Sequence, residues 1–120
     1  MLDWTCRPTA VVLLAWIAAL GACRGADPPS VDLSTARPAD PALAARYERA
    51  CKTCHATPGS GAPMVGDRAA WTARQAGGAA SMLANVRAGM GAMPPMGWCP
   101  DCSDDDLRAL IEFLRTGGRP

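Results

Sequence analysis

At 120 residues the chain has room for one small domain. A formal net charge of +1 gives no electrostatic case for nucleic-acid binding. Six cysteines and eleven prolines do not suit a cytosolic chain, and four Trp, one Tyr and one Phe are a thin aromatic supply for a core, a deficit that a buried, covalently held group would make good.

In chain order, the first feature is an address. Ala10 to Ala22 is an unbroken apolar run of thirteen residues preceded by Arg7. It is short of the roughly 20 residues of a membrane span and fits the apolar region of a signal peptide, residues 1–22, with which Cys6 would leave. The run ends Leu20-Gly21-Ala22-Cys23, which resembles the lipobox of bacterial lipoproteins. That resemblance implies cleavage before Cys23, acylation of Cys23 and a lipid anchor on the periplasmic side of a bacterial membrane. The alternative is ordinary cleavage near Ala22, leaving a soluble periplasmic protein. Residues 23–40 then read as a flexible, lipid-anchored linker. Pro28, Pro29 and Pro38, mixed charges and no apolar periodicity predict an extended, mobile tether.

The folded domain is expected over residues 41–120. Asp40-Pro41 is an N-cap followed by a residue suited to a first helical turn. Leu43, Tyr47 and Ala50 share one stripe of the helix that follows. That helix delivers Cys51-Lys52-Thr53-Cys54-His55. Two thiols three residues apart, followed at once by an imidazole, read as a c-type haem attachment site. Positions i and i+3 share a helical face, so both sulfurs can reach one side of a porphyrin, and His55 can give iron a nitrogen. His55 is the only histidine in the chain. A thioredoxin-type dithiol would want a βαβ pattern, which is missing.

After a Gly/Pro-rich loop, Asp67 is placed to cap a short helix through Trp71 and Gln75, broken at Gly77-Gly78. A third helix, roughly Ala80 to Arg87, carries Met82, Leu83 and Val86 at helical spacing. Ser103 and Asp106 form a capping-box start to a last helix that runs to about Thr116. Leu107, Leu110, Ile111 and Leu114 point inward, and Gly117-Gly118 stop it. The fold class is all-α, four or so helices around one covalent haem.

The segments CKTCHATPGSGAPMVGDRAAW and GAMPPMGWCPDCSDDDLRALIEFL, in that order, resemble class I c-type cytochromes, and closely the cytochrome c5 group, over about residues 41–116. The resemblance implies first and last helices that cross beside the haem, here Leu43 and Tyr47 against Leu110, Ile111 and Phe113. It also implies that the sixth ligand is the methionine at the Met-Pro-Pro position, Met93, with Met96 the alternative. Met96 stands where such proteins often have lysine, which removes a charge from the docking rim. From the residues alone, Met64 falls on the His55 side and Met82 on a core stripe, while Pro94-Pro95 would stiffen the backbone behind Met93.

Export favours a disulfide between Cys99 and Cys102, and the resemblance implies one. It closes too small a loop to stabilise much through chain entropy, so it reads as a clip on the Met93 loop. A zinc site from two cysteine pairs would want halves about 15–20 residues apart, whereas 44 residues lie between Cys54 and Cys99. The resemblance suggests the Pro63 carbonyl as the acceptor that fixes the second ring nitrogen of His55, with Pro58 the alternative. Trp71 and Arg74, three apart on one helix, are candidate donors to a haem propionate, and core packing is the equal alternative for Trp71.

The expected function is single-electron transfer through His/Met-ligated haem iron. Its partners would be redox proteins, such as a quinol-oxidising complex and a terminal oxidase or reductase. The alternative is a haem enzyme or gas sensor, a small peroxidase for instance, with a labile sixth ligand.

Overall fold

The computed structural model describes residues 32–119. The expected signal peptide, Cys6, the acylation site Cys23 and the first part of the linker lie outside the described residues. Helices α1 to α5 are Pro41–Arg46, Lys52–His55, Arg68–Arg74, Gly78–Ala88 and Asp104–Thr116. Among the described residues the only strand-like pairing is an isolated antiparallel bridge between Met90 and Met93.

Sequence predicts a tether up to Asp40, but the part from Asp32 packs on the domain. The Asp32 carboxylate accepts from the Ser34 N–H at 2.9 Å and starts a single 3-10 turn, Leu33–Thr35. Leu33 then lies over two glycines. A Cβ on Gly66 would come 2.5 Å from its Cδ1, and one on Gly117 would come 3.0 Å from its Cδ2. Arg37 adds an ion pair to Glu48 at 2.7 Å. A lone leucine shows no periodicity, so the docking could not be read from its neighbours.

The first helix starts where the cap predicts, with Asp40 accepting from the Leu43 N–H at 2.7 Å. It is not uniform, however. Between α1 and α2, Tyr47–Cys51 forms a π turn in which the Lys52 N–H bonds back to the Tyr47 carbonyl. Such wide turns are rare and gather at functional sites, because the added residue re-aims the side chains that follow. Here it sets the direction of Cys51.

The last helix carries the capping box in full. Ser103 Oγ accepts from the Asp106 N–H at 3.2 Å, and the Asp106 carboxylate accepts from the Ser103 N–H at 2.9 Å. Gly117 ends the helix in the left-handed region at φ 68°. Its inward stripe of Leu107, Leu110 and Leu114 is buried, and so is Phe113 beside it. Phe113 meets Tyr47 edge-to-face, with ring centroids 4.9 Å apart, so the first and last helices are joined through an aromatic contact. Leu43 and Ile111 are half-buried beside it. Val65, Trp71, Met82, Leu83, Cys99 and Cys102 complete the core. Tyr47 is fully buried, and that burial pushes its phenol up to about 12 and keeps it neutral.

Candidate functional site

Cys51 closes the π turn, and α2 presents Cys54 and His55. Cys51 is half-buried, Cys54 is exposed, and neither is bridged. Burial pushes the Cys51 thiol up to about 11, with Cys54 adding to the effect, so it stays protonated near neutral pH. His55 is buried.

The loop after α2 folds back to fix that imidazole. Ser60 Oγ donates to the Cys54 carbonyl at 2.6 Å, and the Val65 N–H donates to the His55 carbonyl at 2.7 Å. Pro63 is thereby placed with its carbonyl oxygen 2.8 Å from His55 Nδ1. A carbonyl only accepts, so Nδ1 carries the proton and Nε2 keeps its lone pair for a metal. Burial lowers the proton affinity of His55, the Pro63 bond partly restores it, and the Arg74 charge lowers it again; the ring is neutral near pH 7.

Trp71 stacks on that ring, with centroids 5.6 Å apart and planes 29° apart. Its single N–H donates to the Met64 carbonyl at 2.8 Å, which leaves nothing to give a propionate. Of the two readings of Trp71, packing is the one this geometry supports, with the indole acting as a wall behind His55. Arg74 uses one N–H on the Ala70 carbonyl at 2.8 Å, and its charge is felt at His55. Met64 lies on the His55 side through its carbonyl, and Met82 is buried in the core.

The Met93 loop is a rigid mount. Met90 and Met93 exchange both backbone hydrogen bonds at 3.0 Å, and the Gly97 N–H donates to the Pro94 carbonyl at 3.0 Å. The chain crosses Gly89 so closely that a Cβ there would meet the Met93 carbonyl oxygen at 2.8 Å. The Met93 methyl lies against Gly97, where a Cβ would be 3.2 Å away. Met96 instead packs against the core. The turn Pro95–Trp98 lies against both the π turn and α4, which brings the methionine loop alongside the segment that ends in Cys51.

A disulfide joins Cys99 to Cys102, with Cα atoms 5.3 Å apart. Arg49 bonds the Asp101 carboxylate and reaches Cys99 Sγ at 3.5 Å, which ties this clip to the first helix. Sulfurs bonded to each other cannot serve as zinc thiolates. Among the described residues no cluster of His, Cys, Asp and Glu could hold a bare metal ion.

The donor set therefore suits an iron that arrives inside a macrocycle. It offers two unbridged thiols to bind the ring covalently, one neutral imidazole with its other nitrogen committed, and a thioether on a pinned loop. Sequence periodicity does not encode the π turn, the Gly89 and Gly97 contacts or the Leu33 dock. Glycines flanking a methionine-rich loop were the available signal for the contacts.

Comparison with known proteins agrees. Residues 38–114 match the family described as Cytochrome C oxidase, cbb3-type, subunit III. The chain is 46% identical over 81 residues to cytochrome c5 of Ectopseudomonas mendocina, covering 66% of this chain and 88% of the relative. It is 51% identical over 63 residues to cytochrome c5 of Azotobacter vinelandii, covering 51% of this chain and 76% of the relative. A chain in the crystal structure of an electron transfer complex of nitrite reductase with cytochrome c superposes with a TM-score of 0.57 at 40% identity, over 67% of this chain and 98% of that one.

Proposed function

This chain belongs to the cytochrome c family, and from that premise we propose that His55 and Met93 would hold the iron of its haem, with Cys51 and Cys54 as the attachment sulfurs. It is a monohaem c-type cytochrome, an electron carrier and not an enzyme. When bound, haem c supplies an iron that alternates between ferric and ferrous states.

The protein's own residues do the rest. Pro63 holds the His55 ring in one tautomer, Trp71 walls it in, and the burial of His55 keeps water from its nitrogen. The paired Met90–Met93 backbone and the Cys99–Cys102 clip brace the loop that carries the Met93 thioether, which would keep reorganisation small. The observation that carries this reading is the 2.8 Å contact from His55 Nδ1 to the Pro63 carbonyl, which leaves Nε2 alone to bind iron.

Export, and a lipid anchor at Cys23, are part of the proposal and rest on the Ala10–Cys23 sequence. The partners we assign are a quinol-oxidising complex as donor and a terminal oxidase or reductase as acceptor. The solved relative in complex with nitrite reductase supports a redox protein on the acceptor side.

The test is optical. The ferric protein should show the weak far-red band of thioether-ligated haem, and the ferrous protein should not bind carbon monoxide. Rapid carbon monoxide binding would overturn the permanent sixth ligand.

A further inference from the structure

Trp98 is 74% exposed, and its backbone is left-handed at φ 63°. A bulky side chain at positive φ is an outlier, and strain of this kind gathers where function needs it. Its neighbours Met96 and Gly97 are also left-handed, at φ 59° and 56°. Within that turn the Cys99 N–H is held by the Met96 carbonyl at 3.0 Å, and the Cys99–Cys102 bond follows. An indole placed in water at a strained position gives nothing to the core.

The other exposed large hydrophobic among the described residues is Met90, at 52%. Both lie at the ends of one loop, and that loop carries Met93. The thirteen residues from Ala88 to Pro100 bear no charge. The charged residues nearest on either side, Arg87 and Asp101, are already paired with Asp104 and Arg49. The chain's single lysine, Lys52, is paired with Glu48.

We infer that Trp98, with Met90, is the anchor by which this cytochrome docks a redox partner protein whose own docking face is apolar and weakly charged. The inference rests on the electron-carrier reading above. Electrons cross only short gaps, so the partner must seat near the loop that carries Met93. With the flanking charges neutralised in pairs, the contact there is apolar. Trp is the residue most enriched at interface hot spots, and a small patch of this kind suits the brief encounters of electron transfer.

The test uses the intact holoprotein as wild type, Trp98→Gly and Trp98→Phe. Gly takes the left-handed position without strain, so Trp98→Gly folds and its melting midpoint is no lower than that of the wild type. Three rates are read: oxidation by the nitrite reductase that complexes the solved relative, electron self-exchange between ferric and ferrous copies, and oxidation by ferricyanide. A fall of about tenfold in either protein–protein rate for Trp98→Gly, recovered in Trp98→Phe, supports the inference. Ferricyanide rate, potential and far-red band should be unchanged, and the wild-type protein–protein rate should vary little with salt.

No fall in either protein–protein rate overturns it, as does a steep salt dependence. A changed potential or far-red band would show that Trp98 acts on the haem, and would also overturn it. So would loss of a stable dimer in Trp98→Gly, or loss of binding to phosphatidylcholine–phosphatidylglycerol vesicles, when neither protein–protein rate moves. These outcomes differ from failure of the electron-carrier reading, in which the wild type itself lacks haem or binds carbon monoxide.

Discussion

Met93→Ala is expected to abolish the far-red thioether band, lower the midpoint potential and let the ferrous protein bind carbon monoxide, whereas Met96→Ala leaves all three in place. Axial ligation sets haem potentials over a span of about 0.8 V, and replacing a thioether by water or a stronger donor should move this one down by on the order of 0.1–0.3 V. The two methionines are three residues apart but differ in setting. Met93 has its backbone pinned to Met90 and its methyl against Gly97, while Met96 is packed into the core. Met96→Ala should therefore cost stability through a lost core contact, about 1–2 kcal/mol, without changing the spectrum. Loss of the band in the Met96 variant alone would reverse the assignment. Optical redox titration of both variants decides it.

The second large effect comes from a residue that touches no ligand. Gly89→Ala should destabilise the protein by about 2–4 kcal/mol and weaken the far-red band, whereas Gly91→Ala should cost only about 1 kcal/mol. Gly89 has φ 82° and ψ 159°, a region open almost solely to glycine, and an added Cβ would press on the Met93 carbonyl oxygen at 2.8 Å and the Pro95 nitrogen at 3.0 Å. The loop would have to move, and Met93 with it. Gly91 is left-handed at φ 58°, but a Cβ there meets nothing within 4 Å, so only backbone strain is added. Denaturant unfolding of the two holoproteins compares them. Equal losses would mean that the backbone crossing at Gly89 does not set the methionine.

What the sequence made legible was local. Asp40-Pro41, Asp67 and Ser103-x-x-Asp106 each name a helix start because the capping side chain and the N–H it accepts lie within three residues. The Cys51–His55 motif is legible for the same reason. Features that depend on residues far apart in the chain were not. Leu33 docks because Gly66 and Gly117 come together beneath it, and neither lies near it in sequence. The π turn at Tyr47–Cys51 packs against α5 through the Tyr47–Phe113 contact and against the Pro95–Trp98 turn, and helical periodicity does not encode it. Trp71 and Arg74 share a helix face, as spacing predicts, but spacing does not say that the Met64 carbonyl would take the indole N–H. Trp98 ran against local rules outright, since glycine is the residue that its backbone angles favour.

Every other property of the molecule depends on the bond between chain and ring, and intact mass reads it directly. The mature protein, made in a host that attaches haem, should weigh one haem more than its amino acids and any acyl groups, and the excess should survive denaturation. The Cys51→Ala/Cys54→Ala double variant should lose it. A wild-type mass equal to that of the polypeptide and acyl groups alone would contradict the covalent haem and the electron carrier built on it.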